Sequence, residues 1–287
     1  SLAPTNDFTN SLDSVSVLGA LFGQDDYDYV DRRFAAALTT RSIGSGEARV
    51  RLEAGWANDR YAPARLARGV FGRDAFLPNR GVDAGDYLRT AAAVEWHPNA
   101  DAAFLQTGTG ASVHLTRGDG QLTFQRLEGR LATRRNIGSW SFALRVDAGV
   151  VSGRMPPQQL FELGRELSLP GYEYKAFAGN QAAVVRGLAM YRLGWLGAPV
   201  HVYKRFWLPS PAPAFAVSLQ SGWTGASSDA AWRAMQRLVP GARTTGDARA
   251  SVAVGMRFFG GVVGFDVARP LDHVEPWSVR FKIGSAL

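Results

Sequence analysis

Apolar and polar residues alternate with a period of two along most of this chain. In the last eleven residues, Trp277, Val279, Phe281, Ile283 and Leu287 fall on one face of an extended segment. Ser278, Arg280, Lys282, Gly284 and Ala286 fall on the other. Successive side chains of a strand point to opposite sides, so this is a ribbon with one apolar and one cationic face. The pattern recurs upstream. Val263, Phe265 and Val267 oppose Gly264, Asp266 and Ala268; Val252, Val254, Met256 and Phe258 oppose Arg249, Ser251, Ala253, Gly255 and Arg257. Phe215, Val217, Leu219 and Trp223 oppose Ala216, Ser218, Gln220 and Gly222. Trp140, Phe142, Leu144 and Val146 oppose Ser141, Ala143, Arg145 and Asp147, and Val50, Leu52 and Trp56 oppose Arg49, Arg51 and Glu53. A noisier version runs from 183 to 195, and similar segments lie near 12–22, 29–39, 86–96, 102–116 and 121–133. The pattern predicts about twelve strands, of the roughly 9–11 residues that cross a bilayer.

A soluble β-sandwich alternates too, but its polar face meets water. Here that face mixes arginine with acids and with Gly, Ala and Ser, which suits the crowded inside of a barrel. Trp56, Trp96, Trp140, Trp195, Trp223 and Trp277 fall at or near strand ends, where an interfacial girdle places amphipathic rings. The expected fold is all-β, an antiparallel transmembrane β-barrel of about 12 strands, with residues 1–287 forming one domain. No helix is expected to span: the longest nearly unbroken apolar stretch, Val15 to Gly23, falls short of the roughly 20 residues required. The mean hydropathy of −0.11 is compatible with a barrel, because alternation hides the lipid-facing residues.

Connection lengths give an independent expectation, since outer loops are long and periplasmic turns short. Read back from the C-terminus, 268–276 is outer, Gly260–Gly261 periplasmic and 224–248 outer. The 152–180 segment is outer, 134–139 a turn, and 57–85 outer again. Both termini then lie in the periplasm. The Pro- and Gly-rich 196–213 connection is long for a turn. Within 224–248, the run SSDAAWRAMQRLV has a Ser/Asp start and helical spacing of Ala231, Met235 and Leu238, which predicts a short loop helix.

Composition narrows the chemistry. With no cysteine, disulfides, thiolate metal sites and cysteine nucleophiles are excluded, and four histidines leave little for a metal centre. The net charge of +7 is nearly all arginine, lysine occurring only at Lys175, Lys204 and Lys282. The arginines are scattered singly rather than clustered, so no nucleic-acid partner is expected. Ser112 and His114 share a strand face, but no neighbouring acid or amide is evidently placed to orient the imidazole. Asp25, Asp26 and Asp28 lack the rest of a calcium ligand set and read as a solvated loop. GxSxG, HExxH and phosphate-loop motifs are absent. No catalytic residue, metal or cofactor is expected.

The segment FELGRELSLPGYEYKAFAGN at 161–180 carries Leu163-Gly164, Leu169, Gly171-Tyr172 and Gly179-Asn180. Downstream come LQSG at 219–222, SVAVGMRF at 251–258 and FKIGSAL at the end. Over about 140–287 this resembles the BamA/TamA superfamily of outer-membrane barrels, the bacterial surface antigen family, which includes barrels attached to patatin-like phospholipases. The resemblance makes 152–180 the long signature loop. The family's loop arginine is replaced by Pro170, and the wall acid that would receive it by Gln220. The joint loss is coherent, because either charge alone inside a barrel is costly. The resemblance also places Tyr172 against the lumen wall, where Arg186, Arg249 or Asp266 could meet its hydroxyl. Family barrels have sixteen strands, so the alternative is that the chain is part of such a barrel; the expectation is a smaller one.

Function follows as an expectation: a non-enzymatic barrel of the protein assembly and translocation superfamily, in the bacterial outer membrane, with a loop-plugged lumen. Its seam would be the final strand, Phe281, Ile283 and Gly284, against the first. Its partners would be outer-membrane lipid and lipopolysaccharide, the barrel-assembly machinery for its own insertion, and a client or passenger polypeptide. Inward arginines at 49, 51, 89, 126, 130, 145, 186, 249, 257 and 280 support the alternative of a passive anion-favouring pore. A third reading is a membrane anchor for a patatin-like enzyme domain.

Overall fold

A computed structural model of the protein describes residues 2–4, 28–63, 79–98, 107–164, 168–194, 197–203, 206–208, 210–272 and 277–283. In chain order the strands are β1 (Leu2–Pro4), β2 (Tyr29–Ile43), β3 (Ala48–Tyr61), β4 (Gly85–Trp96), β5 (Gly108–Gly120), β6 (Phe124–Ile137) and β7 (Trp140–Gly153). Then follow β8 (Phe161–Leu163), β9 (Phe177–Gly179), β10 (Gln181–Arg192), β11 (Val200–Tyr203), β12 (Phe206–Leu208) and β13 (Ala214–Gly225). The helix α1 (Asp229–Leu238) precedes β14 (Arg249–Phe258), β15 (Val263–Pro270) and β16 (Ser278–Ile283).

Twelve of these strands form one antiparallel meander, β1-β2-β3-β4-β5-β6-β7-β10-β13-β14-β15-β16. From β2 onward, connections alternate between a turn end (44–47, 97–107, 138–139, 193–213, 259–262) and a loop end (62–84, 121–123, 154–180, 226–248, 271–277). The strand expected near 12–22 lies outside the described residues; the described part of the sheet begins at Leu2–Pro4. The long 193–213 connection contains its own hairpin, β11–β12, which accounts for its length. The helix expected after Ser227 forms as α1, with the Ser228 hydroxyl accepting from the Ala231 N–H.

Register fixes the two faces. Arg145, Arg186, Gln220 and Ser251 lie side by side across β7, β10, β13 and β14. One residue along each strand, Leu144, Val185, Leu219 and Val252 lie on the other face. The first face is buried although polar: Arg145, Asp147, Arg186, Gln220, Ser251, Arg257 and Asp266 are nearly inaccessible. The second is exposed although apolar, with Leu52, Leu88, Val113, Leu144, Val217, Leu219, Phe265 and Phe281 each at least 40% accessible. This is an inside-out sheet. Such a continuous greasy surface is untenable in water and is what a lipid-facing band requires. Among the described residues, no helix is long and apolar enough to cross a membrane.

The sheet curls around its polar face. Arg134 Nη2 of β6 reaches the Gly260 carbonyl in the β14–β15 turn (3.4 Å), past three intervening strands. At the loop end Gln158 Nε2 bonds Asp59 of β3 (3.4 Å). Aromatic residues mark both rims: Trp56, Trp223 and Trp277 toward the loop end, Trp96 and Trp140 at the turn end. Trp140 packs on Tyr191 at 5.1 Å, and Arg269 sits 5.4 Å from the Trp277 ring. Trp195 lies outside the described residues.

β2 breaks the pattern. Its pairing with β3 turns Val30, Phe34 and Leu38 inward and Arg33, Ala35, Ala37, Thr39 and Arg41 outward. β1 covers only Tyr29–Asp31 of its free edge. From Arg32 to Ile43 that edge has no strand partner among the described residues, and no described pairing joins β1 to β16.

Candidate functional site

The residues of the signature loop gather inside the loop-end mouth. The loop leaves β7, makes a short 3-10 turn at Pro157–Gln159, and folds into the β8–β9 hairpin. Phe161, Leu163 and Leu169 are fully buried and form one apolar cluster with Val151, Tyr172, Phe177, Val184, Met235 and Leu238. The wall receives them with glycines. A Cβ on inward-facing Gly149 would stand 2.5 Å from Phe161 Cζ, and one on Gly222 would stand 3.0 Å from Leu163 Cδ1 and 3.3 Å from Leu169 Cδ1.

Each signature residue has a definable role. The Gly164 N–H donates to the Ser168 hydroxyl (2.9 Å). Gly171 has φ +88° and lies on β15, where a Cβ would come within 2.7 Å of Pro270 Cδ; a side chain is barred twice over. Gly179 rests on the Gly225 backbone, and Pro170 is buried beside Leu169. Asn180 is a clasp: its amide donates to the Val151 carbonyl (2.8 Å) and to the Ser227 hydroxyl (2.9 Å), and its oxygen accepts the Ser227 N–H (3.0 Å).

The Tyr172 hydroxyl bonds Asp272 at the end of β15 and the Ala250 carbonyl of β14 (3.3 Å). Arg249 holds the other oxygen of Asp272, so it meets Tyr172 through that carboxylate. Burial, and then the Asp272 hydrogen bond, push the Tyr172 hydroxyl well above the ordinary tyrosine range. Direct bonding to Arg186 or Asp266 is corrected here. Both sit deeper on the wall and are engaged there, Arg186 with Asp147 (2.8 Å) and Asp266 with Arg257 and Arg280 (2.9 and 3.1 Å).

Gln220 lies opposite Arg186 and Ser251 in register and is 2% exposed. Of the seam residues, Phe281 is outward, its ring 4.7 Å from Phe265; Ile283 pairs with Val263; Gly284 lies outside the described residues.

Sequence reading did not single out the charge clusters of the wall. Asp147 accepts from Arg130 (2.6 Å), Arg145 and Arg186 (both 2.8 Å). Asp59 takes Arg32 in a fork (2.7 and 2.8 Å) and the Tyr87 hydroxyl (3.3 Å). Nor did it find a buried quartet at the mouth: Asp28, Arg80, Glu162 and Lys175. For Asp147 the available clue was a lone acid among inward arginines. Ten arginines read as inward do lie on the luminal face by register. The expectation that no acid flanks Ser112 and His114 is also corrected: Glu95 stands opposite Ser112 and Glu128 opposite His114. Glu128 is taken by Arg126 (2.7 Å), and Ser112 and His114 are two residues apart along one strand, so no nucleophile–base pair is built.

No family model matches the sequence, and no curated protein does. Solved structures do. BamA from Haemophilus ducreyi lacking POTRA domains 1–3 superposes with a TM-score of 0.58 at 11% identity, covering 90% of this chain and 55% of that one. CdiB from Acinetobacter baumannii superposes at 0.50 with 13% identity, covering 88% of this chain and 42% of that one. The fold is thus that of an antiparallel transmembrane β-barrel, shared with these two chains, and the protein spans about half the length of each.

Proposed function

We propose that the protein is a non-enzymatic outer-membrane barrel of the assembly and translocation class, with residues 1–287 acting as one barrel domain whose lumen is shut from outside by the 152–180 loop. The supporting observation is the seating of Phe161, Leu163 and Leu169 on the luminal glycines Gly149 and Gly222, an apolar wedge in an otherwise cationic interior. The long-connection end faces out of the cell and both termini face the periplasm. A client or passenger polypeptide would engage the seam between β16 and the short β1, where, among the described residues, β1 covers only Tyr29–Asp31 of the β2 edge and the rest could accept a strand. Lipopolysaccharide surrounds the outer rim, and the barrel-assembly machinery inserts the chain.

A second reading, an anion-favouring pore, has the arginine-rich wall in its favour. Planar-bilayer recording separates the two. A near-closed trace that opens when 157–178 is deleted supports the plugged barrel; a large steady anion-selective current from the intact protein supports the pore.

A further inference from the structure

Four charged side chains from three distant segments meet in the dry mouth of the barrel. Lys175, just before β9, contacts Asp28 at the foot of β2 and lies 3.5 Å from Glu162 of β8. Arg80, from the β3–β4 connection, contacts Glu162 at 2.9 Å, gives its Nη2 to the Lys175 carbonyl (3.1 Å), and gives its N–H to Asp28 (3.2 Å). The Lys175, Glu162 and Asp28 side chains are at most 5% exposed and that of Arg80 is 14%. Among the described residues, two cations and two anions balance. Both cations also approach the Tyr174 ring, at 5.0 and 5.8 Å. Lys175 is held at φ +45°, a left-handed conformation that a lysine adopts only when its surroundings compel it.

The location decides what such a cluster does. On the β13–β15 side the loop is fixed by apolar packing on Gly222 and by Tyr172. On the far side, against β2, β3 and the β3–β4 connection, the described contacts are ionic and polar: this quartet, and Gln158 on Asp59 and Asp83. We propose that Asp28, Arg80, Glu162 and Lys175 form an ionic clasp that regulates the cap, holding the loop shut against the β2 side and releasing it to swing about its apolar anchor. The clasp rests on the plugged-barrel reading and adds a control point to it. A buried ion pair repays its own desolvation poorly, whereas a buried charge deprived of its partner is strongly unfavourable. The clasp is therefore sensitive to any loss of charge balance and tolerant of balanced removal. Burial pushes the Glu162 carboxyl above the ordinary range, against the pull of Lys175 and Arg80.

The test compares E162Q and K175M with the double variant E162L/K175M, reading both bilayer conductance and deuterium exchange of the backbone at 174–180. Each single variant leaves one unbalanced charge and should raise the open fraction and the exchange rate by roughly 100-fold. The double variant restores balance and should stay as shut as the natural protein. Singles that remain as protected as the natural protein overturn the clasp, as does a double variant as open as the singles, which would make the site one of packing. If the natural protein itself conducts freely, the plugged reading fails, while the exchange pattern of the three variants still judges the clasp.

Discussion

Phe161 and Gly149 meet face to face: the ring edge of the loop residue occupies the place where a side chain on the wall residue would begin, 2.5 Å from an ideal Cβ. The wall strand has been emptied at the one position where the loop enters. Substituting G149L should expel Phe161 at a cost of about 1–3 kcal/mol, the usual penalty of overpacking. Protease cleavage within the 157–178 loop, slow in the natural protein, should become fast while the strands resist.

Asp147 is the hub of the wall, gathering Arg130, Arg145 and Arg186 at 2.6–2.8 Å. Replacing it by D147N keeps the shape and removes the negative charge those contacts share. The expected loss of stability is about 3–5 kcal/mol, as for other buried pairs deprived of one partner. Equilibrium unfolding in detergent or bilayer checks this, and D147N should lose far more than E95Q, whose contact with Arg49 is 3.5 Å and partly exposed.

Tyr172 ties the loop to Asp272 and the Ala250 carbonyl. A bond from its hydroxyl to a carboxylate contributes about 1.5–3 kcal/mol, so Y172F should loosen the loop by that order. Its raised ionisation range has a definite sign. The neutral phenol is the form the folded state prefers, so its contribution is complete below the unfolded value of 10.0 and fades as pH climbs through the higher folded value. Ultraviolet titration of tyrosinate should show one late-ionising phenol fewer in Y172F.

How much of this was written in the sequence differs from residue to residue. The outer strands were legible because their lipid face is greasy and their luminal face is not; β7 and β13 can be read letter by letter. β2 could not be oriented that way, since its inward side carries Val30, Phe34 and Leu38 and its outward side is mostly small or charged. Only the pairing with β3, and Arg32 gripping Asp59, fixes which face is which. The loop motif announced where Gly171, Tyr172 and Asn180 belong, but not what they touch. Asp272 lies 100 residues from Tyr172 and Lys175 lies 147 from Asp28, and no local pattern encodes contacts formed only when a sheet curls.

The lipid band should punish charge by depth and by face. Leu219, 56% exposed in mid-strand on β13, faces outward. L219R should destabilise the barrel by about 2–4 kcal/mol, the figure for arginine at the bilayer midplane. Moving the same substitution to Trp223, nearer the rim, should reduce the penalty to about 1 kcal/mol or less. Unfolding in lipid vesicles measures both.

Because the chain contains no cysteine, single cysteines can be introduced one at a time along β7 and labelled with a nitroxide. In bilayers, labels at Phe142, Leu144, Val146 and Val150 should be relaxed strongly by dissolved oxygen and weakly by a water-soluble nickel complex. Labels at Ser141 and Ala143, on the luminal face, should not show that oxygen preference. A strict two-residue oscillation is the result the inside-out sheet requires. A flat profile, or an oscillation with its phase reversed, would contradict it.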